Sequence, residues 1–207
     1  MTGVQTCALP ILKKQGVSAA DGLSRSKKTT VDNPVSFIAE RLRFYGRTIH
    51  GLRDDVMEAV LKPIDQTNNF DIVDLLNKMK ALQSMTDRPE FDPLMIGFKR
   101  AHRLVEKERW ERKPIEASLF QHPAESELHK LAEENNRRFT AMVRQSDYQP
   151  ALEMLVQMKP AIDAFFAAVM VNADDPAVRS NRLSLLKQVD DLFMSFADFS
   201  QIVVQGG

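Results

Sequence analysis

The chain has 207 residues, 43% hydrophobic and 27% charged, with 28 basic side chains balancing 28 acidic ones. That length can bury roughly 70% of the unfolded surface in one or two domains, while formal neutrality excludes a global field drawing the chain onto nucleic acid or membrane, so such binding needs a local patch. The single cysteine, Cys7, excludes an intramolecular disulfide framework or a multi-cysteine metal site, and no apolar run exceeds Ala164 to Val171, far short of a membrane span.

With eight Gly, two Tyr and one Trp, the composition favours helices over strands and turns. Met1 to Leu12 lacks a basic n-region and holds only a short apolar stretch, so it does not read as a signal peptide. Lys13 to Asp32 is rich in Ser, Thr, Gly and charge, and residues 1–32 are expected to be a disordered linker segment. Within it, Thr2 to Ile11 is similar to translated sequencing-adapter sequence, which implies that Cys7 is not native and that the chain is an N-terminally truncated fragment.

Asn33-Pro34 opens the first helix with a capping residue and a proline in the first turn. Val35, Ile38, Leu42, Tyr45 and Ile49 recur at steps of three and four, predicting a helix over 34–48 with that face inward and Gly51 as its stop. Residues 52–62 predict a short second helix with Val56, Val60 and Leu61 inward, ended by Pro63. Asn68 or Asn69 can cap a third, in which Phe70, Val73, Leu76, Met79 and Leu82 keep the spacing. Asp87-Arg88-Pro89 starts a fourth, with Phe91, Leu94, Met95, Phe98, His102 and Val105 on one side and cations on the other.

A proline-containing connector, residues 113–122, separates this group from a C-terminal bundle. There, residues 123–145 predict a helix with Glu125 and Glu127 in its first turn and Arg137, Arg138 and Arg144 towards its end, the polarity the macrodipole favours. Pro150 and Pro160 mark two further helix starts, the second burying Ile162, Phe165, Phe166 and Val169. Asp174 or Asp175 caps the last, with Leu186, Val189, Leu192, Phe193 and Phe196 inward.

No glycine-rich phosphate loop, GxSxG elbow or HExxH motif is present. His122 and His129 lie beside Glu125 and Glu127, but solvated side chains at a helix start explain them better than a metal site. His102, on the apolar face, reads as a buried or rim histidine with one hydrogen bond. The pairs Asp54-Asp55, Asp174-Asp175 and Asp190-Asp191 read as caps and surface charge. No catalytic residue and no metal ligand is assigned.

The strongest charge feature is residues 98–113, seven Lys or Arg against three Glu in a neutral chain. Lys99, Arg103 and Lys107 are successive i, i+4 neighbours with Arg100 beside them, forming one ridge. Arg41, Arg43 and Arg47 on the first helix join it if the two helices pack side by side. Such a ridge can neutralise several phosphates, and Trp110 or Phe44 offers a ring for a splayed base, so RNA is one partner this face could take. The bland alternative is a solvated face laced with Glu106, Glu108 and Glu111.

Two C-terminal stretches, Pro160-Ala-Ile-Asp-Ala-Phe-Phe-Ala-Ala-Val-Met-Val and Ala173-Asp-Asp-Pro-Ala-Val-Arg-Ser-Asn-Arg-Leu-Ser-Leu-Leu, resemble the closing signature of the β subunit of bacterial glycyl-tRNA synthetases, including the Asn181-Arg182-Leu183 triplet and Phe165-Phe166. Upstream, Phe37-Ile-Ala-Glu-Arg-Leu-Arg, Asp54-Asp-Val-Met-Glu-Ala-Val-Leu, Ala81-Leu82 and Phe98-Lys99-Arg100-Ala101 resemble the same family, giving ordered coverage from about Val35 to Phe199. The resemblance implies an all-helical anticodon-binding domain of the type named after an Asp-Ala-Leu-Arg motif. That motif is not literally present, and Lys80-Ala81-Leu82-Gln83 is the nearest run.

It also implies a cytoplasmic heterotetrameric ligase that joins glycine to tRNA(Gly). ATP and magnesium are used on a separate or fused α subunit, and no cofactor is held by this fragment.

The expected fold is therefore all-α, about eight helices in two packed groups, 33–112 for tRNA and 113–207 as a C-terminal bundle of one continuous domain. The expected function is positioning tRNA while catalysis occurs elsewhere. A second possibility is a helical module that docks the catalytic subunit or neighbouring domains without touching tRNA.

Overall fold

The computed structural model describes residues 34–66 and 71–204. The linker segment with Cys7, the Asn33 cap and the Asn68 and Asn69 caps lie outside the described residues. Among the described residues eight α-helices follow one another: α1 (Pro34–His50), α2 (Asp54–Leu61), α3 (Ile72–Thr86), α4 (Phe91–Lys107), α5 (Pro123–Arg144), α6 (Tyr148–Gln157), α7 (Lys159–Ala168) and α8 (Pro176–Met194). Short 3-10 turns cover Lys62–Gln66, Ala117–Leu119 and Phe199–Gln201, and no strand occurs among the described residues.

The predicted proline signals sit where a missing N–H costs least, in the first turn of a helix. Pro123, Pro160 and Pro176 all occupy such positions. Asp175 is the residue that caps α8, accepting from the backbone N–H groups of Ala177 and Val178. Two boundaries move. Asp71 caps α3 by accepting from Val73 and Asp74, so that helix begins at Ile72. Residues 87–90 form a turn between helices, and α4 begins at Phe91.

The inward face of α1 also differs from the periodic reading. Val35, Ala39, Leu42 and Gly46 form the buried row, while Tyr45 and Ile49 are 45% and 60% exposed. The reason is a close approach at Gly46, where a Cβ would stand 2.8 Å from Met57 Sδ of α2. Gly46 counts as neutral in a pattern of apolar letters, yet its missing side chain sets the rotation of the helix. After α1, Gly51 adopts φ +62° and lets Leu52 turn inward. Gly51→Ala is expected to lose about 1–2 kcal/mol, the cost of a left-handed conformation with a Cβ, measurable by urea unfolding.

α8 is the helix around which the others assemble. From Asn181 to Leu186 every side chain is buried, and Gln188, Val189, Asp190, Leu192 and Phe193 follow. α4 packs along one flank and α5 along another, with α7 bridging α4 and α5. α3 leans on α2 and α6, and α1 lies against α2 and α3. Phe98 of α4 stacks on Phe193 of α8 at 4.8 Å between centroids, and Phe199 stands edge-on to both. Phe139 of α5 joins through Phe196, so one apolar core contains residues from both sides of the 113–122 connector. The described residues, 34–66 and 71–204, belong to one compact unit.

The segment after α8 folds back over α2 and α4. Asp198 N donates to the Ala59 carbonyl at 2.7 Å, and its carboxylate pairs with Lys62 at 2.8 Å. Further along, Val203 N donates to Asp55 Oδ2 at 2.7 Å while Arg53 Nη2 donates to the Val203 carbonyl at 3.0 Å. Burial opposes ionisation of Asp55, but its hydrogen bonds with Arg53, Val203 and Val56 outweigh that and hold the carboxyl below its ordinary range. This tail forms one wall of the surface beside α4.

Candidate nucleic-acid interface

The basic residues of α4 share one helix face but not one environment. Lys99 is half-buried and donates from Nζ to the Ile202 carbonyl at 2.5 Å, so its charge is pinned beside the tail. The Arg100 guanidinium stands 4.3 Å from the centre of the Phe166 ring of α7, a geometry favourable for cation–π attraction. Arg103 and Lys107, one and two turns further on, are exposed and make no ion pair or side-chain hydrogen bond among the described residues. They point outward because Phe91, Leu94, Met95, Phe98, Ala101 and Val105 occupy the opposite face of the same helix.

The acidic side chains of this stretch are partly drawn off the ridge. Glu108 pairs with Arg179 of α8 at 2.8 Å, and Glu106 lies 3.8 Å from His102 Nε2. His102 in turn shares a 2.7 Å hydrogen bond through Nδ1 with Asp190, which is buried at the α4–α8 contact. Asp190 therefore departs from the sequence reading as surface charge. Its neighbours Lys187 and His102 compensate its burial, which a helical pattern of apolar letters does not reveal.

The other basic set lies elsewhere. Arg43 makes two hydrogen bonds to Glu58, at 2.6 and 3.1 Å, and Arg47 binds Asp54 at 2.5 Å, tying α1 to α2. Arg41 rests over the Phe37 ring at 5.2 Å. Since α1 packs on α2 and α3, the side-by-side arrangement with α4 that would merge the two basic sets does not form. Trp110 is half-buried: its indole N–H donates to Ser184 at 3.1 Å, and Lys113 covers the ring at 4.1 Å. Phe44, by contrast, is 67% exposed.

Three features escaped the sequence. Ile96 and Met170, 57% and 76% exposed, flank the α4 ridge and line a groove of 510 Å³ with Arg100 and Arg103. A large apolar residue on the cationic side of α4 was the available signal for Ile96. Glu125, read as solvated, is buried with Arg182: the Arg182 Nε to Glu125 Oε1 distance is 2.9 Å. The His122 and His129 pair is also dispersed, since His122 Nδ1 caps α5 by accepting from Ala124 and His129 Nδ1 bonds Gln188. No cluster of three or more His, Cys, Asp or Glu side chains able to hold a metal exists among the described residues, and no described helix is long and apolar enough to cross a membrane.

The family-like triplet has structural duties. Asn181 accepts from Glu116 N at 2.8 Å and donates to the Glu116 carbonyl at 3.0 Å, fastening the connector to α8. Leu183 is core. Arg182 reaches Glu125, Gln121 and the Met170 carbonyl. Phe166, of the double phenylalanine, is the ring beneath Arg100, so the signature and the ridge meet in space.

Comparison with known proteins agrees with this architecture. The chain is 36% identical over 159 residues to the glycine–tRNA ligase beta subunit of Geobacter sp. strain M21, covering 77% of this chain and 23% of that one. Against the glycine–tRNA ligase beta subunit of Acidobacterium capsulatum it is 31% identical over 205 residues, 94% of this chain and 28% of the relative. The corresponding subunit of Trichlorobacter lovleyi is 38% identical over 148 residues, 72% of this chain and 21% of its own length. The chain thus spans about a quarter of the length of these relatives. The profile of the DALR anticodon binding domain matches residues 94–198, from α4 through α8 and beyond the Lys80–Gln83 run, and the chain belongs to the DALR anticodon-binding domain family.

Proposed function

We propose that this chain binds the anticodon arm of tRNA(Gly) as the C-terminal part of a glycine–tRNA ligase β subunit. The observation that carries the proposal is the outward row of α4, where Arg103 and Lys107 make no ion pair or side-chain hydrogen bond among the described residues and Arg100 and Lys99 flank them. Unpaired guanidinium and ammonium groups on a rigid helix lose little on meeting phosphate, and releasing counterions from the RNA supplies the affinity. Among the basic residues of α1, Arg41 is the best placed for a secondary contact, because Arg43 and Arg47 are held by α2 carboxylates. Trp110 contributes by anchoring the segment after α4 to α8 through Ser184.

In this reading the chain holds tRNA in the cytoplasm while glycine activation with ATP and magnesium takes place on the α subunit or a fused α region. Residues 33–112 carry most of the RNA contacts, and 113–207 form the bundle that supports them. Aminoacylation by the isolated chain is not expected.

Titrating an anticodon stem-loop with the purified chain across a salt series tests the proposal. Affinity should fall linearly on a double-logarithmic plot, by about 0.7–0.9 in slope for each phosphate contacted. Absent or salt-independent binding would overturn it.

A further inference from the structure

Arg103 stands between two grooves. The first, 510 Å³, runs between α4 and the α7–α8 connector, with Ile96, Leu104, Met170 and Val171 as apolar lining and Arg100 and Asn172 as polar lining. The second, 590 Å³, lies between the same part of α4 and the C-terminal tail, lined by Lys99, Ser200 and Gln201 among others. Ile96 and Arg103 belong to both.

We infer that the first groove receives one unstacked base of the bound RNA, with the phosphate that follows it on Arg103 and the next nucleotide in the second groove. This rests on the RNA-binding reading above and specifies how the RNA engages. Four observations carry it. A duplex backbone offers only phosphate and sugar, so it would leave the apolar lining unused, whereas a splayed base presents an apolar face. Arg100, backed by the Phe166 ring at 4.3 Å, is a planar cation of the kind on which bases stack.

The wall is also built rather than loose: the Met170 carbonyl accepts from Nη1 of the buried Arg182 at 2.8 Å, fixing the connector before any ligand arrives. Finally, the exposed Asn172 amide supplies a donor and an acceptor for the edge of the base. An acidic peptide would satisfy Arg103 but not the flat cation–ring pair.

The test uses the full chain with anticodon stem-loops in which each loop position in turn is made abasic. Wild type should lose roughly tenfold or more in affinity at one loop position, the range for a stacked base. Met170→Ala with Asn172→Ala changes two exposed side chains. A matching thermal melt would show that the fold is kept. This variant should bind the intact loop more weakly by a similar factor, lose the penalty at that one abasic position, and keep the wild-type salt slope.

An abasic penalty that persists in the variant places the base elsewhere and overturns the inference. Silence of both abasic RNAs and the variant, with salt-dependent binding intact, overturns the groove while leaving the ridge reading standing. Absence of salt-dependent binding removes both.

Discussion

Arg182→Ala is expected to lower stability by about 3–5 kcal/mol, the usual effect of leaving a buried carboxylate without its partner. For a chain of this size that corresponds to a fall in Tm of roughly 6–20 °C. Glu125 and Arg182 expose only 1% and 8% of their side chains, and all their polar groups are engaged. Glu125 accepts from Gln121 N at 2.8 Å and His122 N at 2.9 Å as well as from Arg182, which also donates to Gln121 Oε1 and the Met170 carbonyl. Burial by itself would raise the Glu125 carboxyl, but these hydrogen bonds outweigh it and the net position is below the ordinary 4.5.

The sign of the pH effect follows. A carboxyl depressed in the folded state contributes stability that is complete above its unfolded value and is lost as pH falls through the folded one. Wild type should therefore weaken as pH drops below 4.5. In Arg182→Ala the remaining carboxyl is buried without its cation, and acid should cost it less than it costs wild type. Calorimetry from neutrality into the carboxylate range distinguishes the two. Parallel pH profiles for the two proteins would show that the pair does not set the acid limb.

Replacing Lys99, Arg100 and Arg103 together with Ala should reduce the salt slope of stem-loop binding by about 1.4–1.8, two phosphate contacts at Lys99 and Arg103 of 0.7–0.9 each, while loss of Arg100 removes the stacking platform. Over a fourfold rise in salt the affinity gap between wild type and variant should then close by roughly 7- to 12-fold. Arg103→Ala alone is the cleanest single test, because Arg103 makes no ion pair or side-chain hydrogen bond among the described residues. Lys99→Ala also removes the hydrogen bond to Ile202 and loosens the tail. Unchanged affinity in the triple variant would reject this face as the RNA site.

Much of the architecture was legible because apolar spacing reports directly on burial. The face Phe91, Leu94, Met95, Phe98 and Val105 of α4 is buried as read, and so are Leu186, Val189, Leu192 and Phe193 of α8 and Phe196 just beyond it. Local signals worked where the chemistry is local: Asp175 needs only its own next two residues to cap α8. Tyr45 and Ile49 misled because periodicity allows neighbouring rows to compete, and the close contact at Gly46 selected one of them. Glu125 and Asp190 misled because a charge looks solvated unless its partner is known, and the partners lie 57 and 88 positions away.

The sequence by itself determined an all-helical chain, the buried rows of α4 and α8, the basic row of α4 and the resemblance to an anticodon-binding family, all of which depend on residue type and short spacing. Only the tertiary structure decided which cations remain available. Packing α1 on α2 consumed Arg43 and Arg47, the tail engaged Lys99, and the α8 contact took up Glu108, leaving Arg103 and Lys107 exposed on the ridge, with Arg103 beside two grooves. The physical reason is that a charge's free energy depends on what the fold brings within a few ångströms of it, and those neighbours come from distant parts of the chain.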